Sequence, residues 1–111
     1  MLRKWNETYG NERARYVECK GIRFAEASPG SNRFVAREGR HSSWVARGTK
    51  RGKDLPSGGF EVDSGWFVNV WDHDDKNVHH AFRLIDKGME AEAEEAAFEE
   101  AADKLLAVQR S

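Results

Sequence analysis

Apolar and polar residues alternate along most of residues 14–85, and this period of two predicts β-strands. Residues 14–27, ARYVECKGIRFAEA, have the pattern of a hairpin closed by a two-residue turn at Lys20-Gly21. The register pairs Cys19 with Ile22 and Val17 with Phe24 on one apolar face. It also places opposite charges across from each other on both faces, which supports the pairing. Cys19 is therefore expected to be a buried structural residue.

Further alternating segments predict strands at 33–37, 43–49, 60–62, 66–72 and 78–85. Residues 50–59, KRGKDLPSGG, form a basic segment whose paired glycines predict a mobile loop. The last two strands are expected to form a second hairpin, in which a symmetric register pairs Val68 with Phe82. A slip of one residue would move every side chain of this hairpin to the other face.

The pattern changes to that of an α-helix from about Met89 to Gln109, where alanine and glutamate dominate. The apolar face of this helix consists of Ala97, Phe98, Ala101, Ala102, Leu105 and Val108. We therefore expect an α+β fold, an antiparallel β-meander of about five to seven short strands with one C-terminal helix packed across one sheet face.

Length and composition narrow the class of protein. A chain of 111 residues has the size of one domain, here 1–111. Charged residues make up 33% and the mean hydropathy is -0.81, but an aromatic content of 11% argues against a disordered chain. There is neither a membrane-length apolar run nor a secretory signal, so no membrane partner is predicted. A single cysteine excludes an internal disulfide and indicates a reducing cytoplasm.

The net charge of -1 conceals a strong asymmetry between the two halves of the chain. Residues 1–53 carry 13 Lys and Arg against 5 Asp and Glu, whereas residues 54–111 carry 5 against 14. Two explanations are open and compatible with each other. Basic strands lie beside an acidic helix within one molecule, or the two halves present separate surfaces to two kinds of partner.

The stretch WFVNVWDHDDKNVHH, residues 66–80, concentrates residue types found in metal and catalytic sites. Suitable ligand atoms occur near its tip, on His73, Asp74, Asp75 and His79. An exposed loop rarely brings ligands together from several directions, and alternation turns His79 and His80 to opposite faces. The chain also lacks the common phosphate-binding, hydrolase and zinc-protease motifs. We predict no metal site, no cofactor and no enzymatic activity.

The same hairpin predicts one apolar face beneath the helix and one mixed face directed outward. The predicted outward residues form an aromatic–cationic face that could meet a partner or another protein layer. It consists of Phe67, Asn69, Trp71, His79 and Arg83.

Residues 33–53 combine cations with interleaved aromatic side chains, which suits phosphate binding and base stacking on single-stranded nucleic acid. The alternation leaves two roles open for Trp44, stacking platform or core residue, and favours the core. We predict a small non-enzymatic domain that binds nucleic acid through this basic strand and loop region. The predicted contacts to nucleic acid or another anionic partner are Arg33, Arg37, Arg40, Arg47, Lys50, Arg51 and Lys53.

Strands followed by an Ala/Glu-rich helix, over at most residues 33–108, resemble two nucleic-acid-binding folds in layout. One is the double-stranded RNA-binding domain, and the other is the AP2-like domain of some recombinases and transcription factors. The RNA-binding family begins its final helix with two lysines, where this chain has MEAEAEEA at 89–96. The helix is therefore not expected to contact phosphate.

A second hypothesis is a protein-binding inhibitor or adaptor, of the phage or mobile-element type, that acts on a nucleic-acid-handling partner. Carboxylates on the helix would then stand in for phosphates, although a solvated helix surface is the commoner explanation of such a face. The partners predicted are thus nucleic acid or a nucleic-acid-binding protein, and a homodimer stays open. The acidic partner face consists of Glu92, Glu99, Glu100 and Asp103.

Overall fold

Seven antiparallel strands follow one another in a single sheet, each paired with its neighbour in sequence, and one helix ends the chain. The computed structural model describes residues 1–72, 74 and 76–110. Its architecture confirms the predicted fold class. The elements are β1 Arg3–Tyr9, β2 Glu12–Cys19, β3 Ile22–Glu26, β4 Arg33–Glu38, β5 His41–Asp54, β6 Phe60–Trp71, β7 Asn77–Leu84 and α1 Glu90–Arg110.

The β2–β3 hairpin has the predicted register. Cys19 pairs with Ile22 and Val17 with Phe24. The turn residues Lys20 and Gly21 both have positive φ, 53° and 78°, which matches the right-handed twist of the flanking strands. A glycine at the second position adopts this conformation without the steric cost of a side chain.

The core lies between α1 and one side of the sheet, which we call the inner face. Phe98 is fully buried at its centre, with its ring centroid 5.2 Å from that of Phe24, 5.4 Å from Phe34 and 5.8 Å from Trp66. The predicted apolar face of the helix is the one that packs, with Val108 at its partly buried end. In the part of the chain that the structure describes, no helix is long and apolar enough to span a membrane.

Three strand predictions need correction. β1 was not predicted, because its residues are mostly polar and exposed. The first half of the predicted loop 50–59 is strand, since β5 runs on to Asp54 and the turn is limited to residues 55–59. β6 continues through residues 63–65 and so joins the predicted strands 60–62 and 66–72 into one. Gly65 serves close packing there, because a Cβ at this position would lie 2.4 Å from Phe82 Cζ and 2.5 Å from the Arg83 carbonyl oxygen.

The predicted β6–β7 register is wrong by one residue. Val68 pairs with Ala81 and Val70 with His79, so that His79 and Arg83 lie on the inner face and His80 on the other side. An irregularity between Val70 and Trp71 shifts the pairing next to the hairpin tip. The hydrophobic pattern could not select this register, because NVHHAFRL offers a mixture of polar and apolar residues to both faces.

The position of Phe98 leads to a stability prediction. Phe98→Ala should lower the free energy of unfolding by about 3–5 kcal/mol, because it removes the ring shared by three aromatic partners and leaves a cavity. Ala107→Gln, at an exposed position of the same helix, should change it by less than about 0.5 kcal/mol. Urea unfolding followed by circular dichroism measures both. Equal losses for the two variants would contradict a core centred on Phe98.

Candidate functional site

The side of the sheet opposite α1, which we call the outer face, has no second layer in the described part of the chain. The register directs Trp44 of β5 and Trp71 of β6 to this side. Their ring centroids are 5.5 Å apart at an interplanar angle of 67°, and the Arg33 guanidinium lies 5.0 Å from the Trp44 ring centroid. Two half-buried indoles and a guanidinium therefore lie together on the outer face.

The interpretation of Trp44 as a core residue is wrong. Its neighbours Ser43 and Val45 occupy the inner face and are fully buried. The Ser43 hydroxyl donates to the Ala101 carbonyl oxygen at 3.2 Å, and a residue this small lets α1 approach the strand. Because successive side chains alternate between faces, a buried Ser43 directs Trp44 outward.

Two adjoining depressions of the outer face share Trp44 and Arg37 as a common wall. The first, of about 340 Å³, is completed by Ser42 and Trp71. The second, of about 430 Å³, lies over Ala25 and Val35 and ends at Glu26 and Ala27. The face is therefore contoured on a scale comparable with flat, ring-shaped groups rather than being a uniform plane.

Positive charge predominates around these depressions. From β3 to β7, up to the Gly48–Gly65 pair, the outward positions carry Arg23, Arg33 and Arg37 and neither Asp nor Glu. Within the described residues no carboxylate forms an ion pair with Arg33 or Arg37. Their charges are thus available to an anionic ligand.

Further aromatic side chains extend the outer face in both directions. Trp5 and Tyr16 stack with centroids 5.3 Å apart, and the Arg23 guanidinium lies 4.3 Å from the Tyr16 centroid. On the other side, Phe67 and Phe82 pack at 4.8 Å. The sequence prediction omitted Trp5, Tyr16 and Arg23, although the correctly predicted β2–β3 register already placed Tyr16 and Arg23 on one side.

The predicted basic set does not form one surface. Arg33, Arg37 and Lys50 point to the outer face, whereas Arg47 and Arg51 have the opposite orientation. Arg47 lies 5.9 Å from the inner-face Trp66 centroid, and Arg51 pairs with Asp54 at 2.8 Å. The remaining members are in the β4–β5 turn and near the end of β5, Arg40 and Lys53.

The predicted aromatic–cationic face is also divided, as a consequence of the register correction. Phe67, Asn69 and Trp71 do point outward. His79 and Arg83 instead reach Glu100 on α1, with His79 Nε2 2.6 Å from Oε2 and Arg83 Nε donating to Oε1 at 2.7 Å. They are replaced on the outer face by His80 and Phe82.

The half-buried carboxylate of Glu100 lies between the Arg83 guanidinium and the His79 imidazole. Burial by itself raises the pKa of Glu100, but the hydrogen bonds from Arg83 and His79 outweigh it, and the pKa is lowered below its ordinary value. The predicted position of Glu100 on the solvent side of the helix is therefore wrong.

Most residues of the predicted acidic face form ion pairs with basic residues of the sheet and its turns. Lys20 Nζ donates to Asp103 Oδ1 at 2.8 Å and lies 4.0 Å from Glu99 Oε2. The N-terminal ammonium group is 3.0 Å from Glu95 Oε1, and Lys4 pairs with Glu94. These contacts join basic strands to the acidic helix, as the first explanation of the charge asymmetry requires. Glu92 is exposed.

The polar tip of the β6–β7 hairpin is described only in part. His73 and Asp75, two of the potential metal ligands, lie outside the described residues. Among residues 1–72, 74 and 76–110, no three His, Cys, Asp or Glu side chains are grouped so that they could hold a metal ion. Cys19 is buried as predicted, and burial raises the pKa of its thiol, which disfavours the reactive thiolate.

Comparison of the chain with protein-family models, with curated proteins and with solved structures finds no significant match.

The Glu100 contacts predict a pH-dependent contribution to stability. Glu100→Gln should lower the free energy of unfolding by about 1 kcal/mol at neutral pH, because it removes the charge that Arg83 and His79 stabilise. The lowered pKa means that this contribution is present above the ordinary pKa and is lost as pH falls through the folded-state value.

Urea unfolding of wild type and variant at neutral pH and at about pH 3 measures this contribution, and the difference between them should close in acid. Glu92→Gln, on the exposed side of the same helix, should cost less than about 0.5 kcal/mol. A Glu100→Gln difference that persists undiminished in acid would contradict the ionic origin.

Proposed function

We propose that this protein binds single-stranded nucleic acid across the outer face of its sheet. The observation that carries the proposal is the placement of Trp44 on an open sheet face, beside Trp71 and between Arg33 and Arg37, which form no ion pair within the described residues. Bases would stack on the indoles while the guanidinium groups bind phosphates or base acceptor atoms of the same strand. Neither role requires a catalytic group, a cofactor or a metal ion.

A single strand fits this face better than a duplex. The faces of duplex bases are covered by their neighbours in the stack, so a duplex would leave the exposed aromatic rings without a role. A single strand offers base faces to aromatic side chains, and each stacked base contributes about 1–3 kcal/mol. The outer face carries aromatic side chains in two groups, one on β1 and β2 and one on β5 to β7, which provide several such positions.

The alternative function, inhibition of a partner through the acidic helix, has weaker support. Glu99, Glu100 and Asp103 contact basic groups of the same chain. A basic partner would have to displace these contacts before it could use the carboxylates. The outer face offers cations that need no such displacement, which is why we favour nucleic acid.

The two faces of the sheet permit a matched test. Arg33→Glu/Arg37→Glu should weaken binding of a fluorescein-labelled 12-nucleotide strand more than tenfold, because it reverses two charges beside Trp44. Arg47→Glu/Arg51→Glu reverses the same charge on the opposite side and should have a much smaller effect. Trp44→Ala should cost about 1–3 kcal/mol of binding free energy through lost stacking.

Fluorescence anisotropy at low and at physiological salt measures these affinities, with DNA and RNA strands titrated in parallel to identify the preferred sugar. Affinity should fall with salt concentration. A plot of the logarithm of the binding constant against the logarithm of the salt concentration should have a slope of about -0.7 per phosphate contact. Thermal melting confirms that each variant is folded. Equal losses from the two double variants would remove the outer face from consideration, and no binding at low salt would refute the proposed function.

A further inference from the structure

The depression formed by Arg37, Ser42, Trp44 and Trp71 has the form of a pocket for one planar group. Its volume is about 340 Å³, and its two indoles stand at 67° to each other. One ring can therefore stack on a flat ligand while the other closes the side of the pocket. Of the two depressions on the outer face, this is the one with aromatic side chains on two sides.

The polar groups of this pocket mainly donate hydrogen bonds. The guanidinium of Arg37 presents only N–H groups, arranged as a planar fork, and Ser42 adds one hydroxyl. No Asp or Glu lines the pocket among the described residues. The amide oxygen of Asn69, the cross-strand neighbour of Trp44, already contacts His80 and accepts a hydrogen bond from Asn77 at 3.4 Å.

We infer that this pocket selects guanine within a bound single strand, a conclusion that rests on the proposed function. Guanine carries two adjacent acceptors, O6 and N7, which match the fork of Arg37. Adenine places an amino donor beside N7, so it would direct an N–H toward the N–H groups of Arg37. Cytosine in a single strand also has two adjacent acceptors, O2 and N3, but its single ring covers less of an indole than a purine does. Thymine and uracil offer one carbonyl at the corresponding edge and would use only half of the fork.

Strands of twelve thymidines test this inference, with the central residue left as thymidine or replaced by guanine, adenine or cytosine. By fluorescence anisotropy, the guanine strand should bind wild-type protein several-fold more tightly than the cytosine strand and about tenfold more tightly than the adenine strand. Arg37→Lys keeps the charge but removes the planar fork, so the guanine-to-adenine ratio should fall below about threefold. Because the readout is a ratio of affinities within one protein, a general loss of binding does not imitate it.

Three results would overturn the inference. Wild-type protein that binds all four strands equally would show that the pocket does not select guanine, while the proposed function would stand. A guanine preference retained in Arg37→Lys would remove the fork as its cause. If none of the four strands, and no ribonucleotide equivalent, binds at low salt, the proposed function fails and the inference fails with it.

Discussion

Packing of α1 against one side of the sheet is the interaction on which the rest of the molecule depends. The sheet has two faces and the described chain contains one helix, so only one face can be covered. Phe98 anchors the covered side between Phe24, Phe34 and Trp66. Every residue that alternates away from this core is thereby placed on the open side, and Trp44 becomes a surface residue because Ser43 lies under the helix.

The charged side chains on the two faces of the sheet also differ in their partners. The acidic helix meets Lys4 of β1, Lys20 of the β2–β3 turn and Arg83 of β7. The two lysine contacts join the basic half of the chain to the acidic half. The outward arginines of β4 lie on the side that the helix does not reach. They keep their charge without a carboxylate partner in the described residues.

The β6–β7 hairpin shows that the local pattern of apolar and polar residues can be insufficient to predict the register of two strands. Sequence alternation identified both strands, but β7 carries histidine and arginine among its apolar residues and gives no clear inward face. Its register depends on the irregularity near Trp71 and on the contacts of His79 and Arg83 with Glu100, a residue on the helix that follows. A one-residue shift then exchanges the members of the predicted aromatic–cationic face.

By itself, the sequence determined the class of fold, the β2–β3 register, the helix and its apolar face. These features depend on hydrophobic periodicity, turn residues and helix propensity, which act between residues close together in the chain. The sequence also identified the basic, aromatic segment that contains Arg33, Arg37 and Trp44. Only the tertiary structure decided which of these side chains share a surface. The reason is that the face of a strand is set by the layer packed against it, and here that layer is a helix more than fifty residues further along the chain.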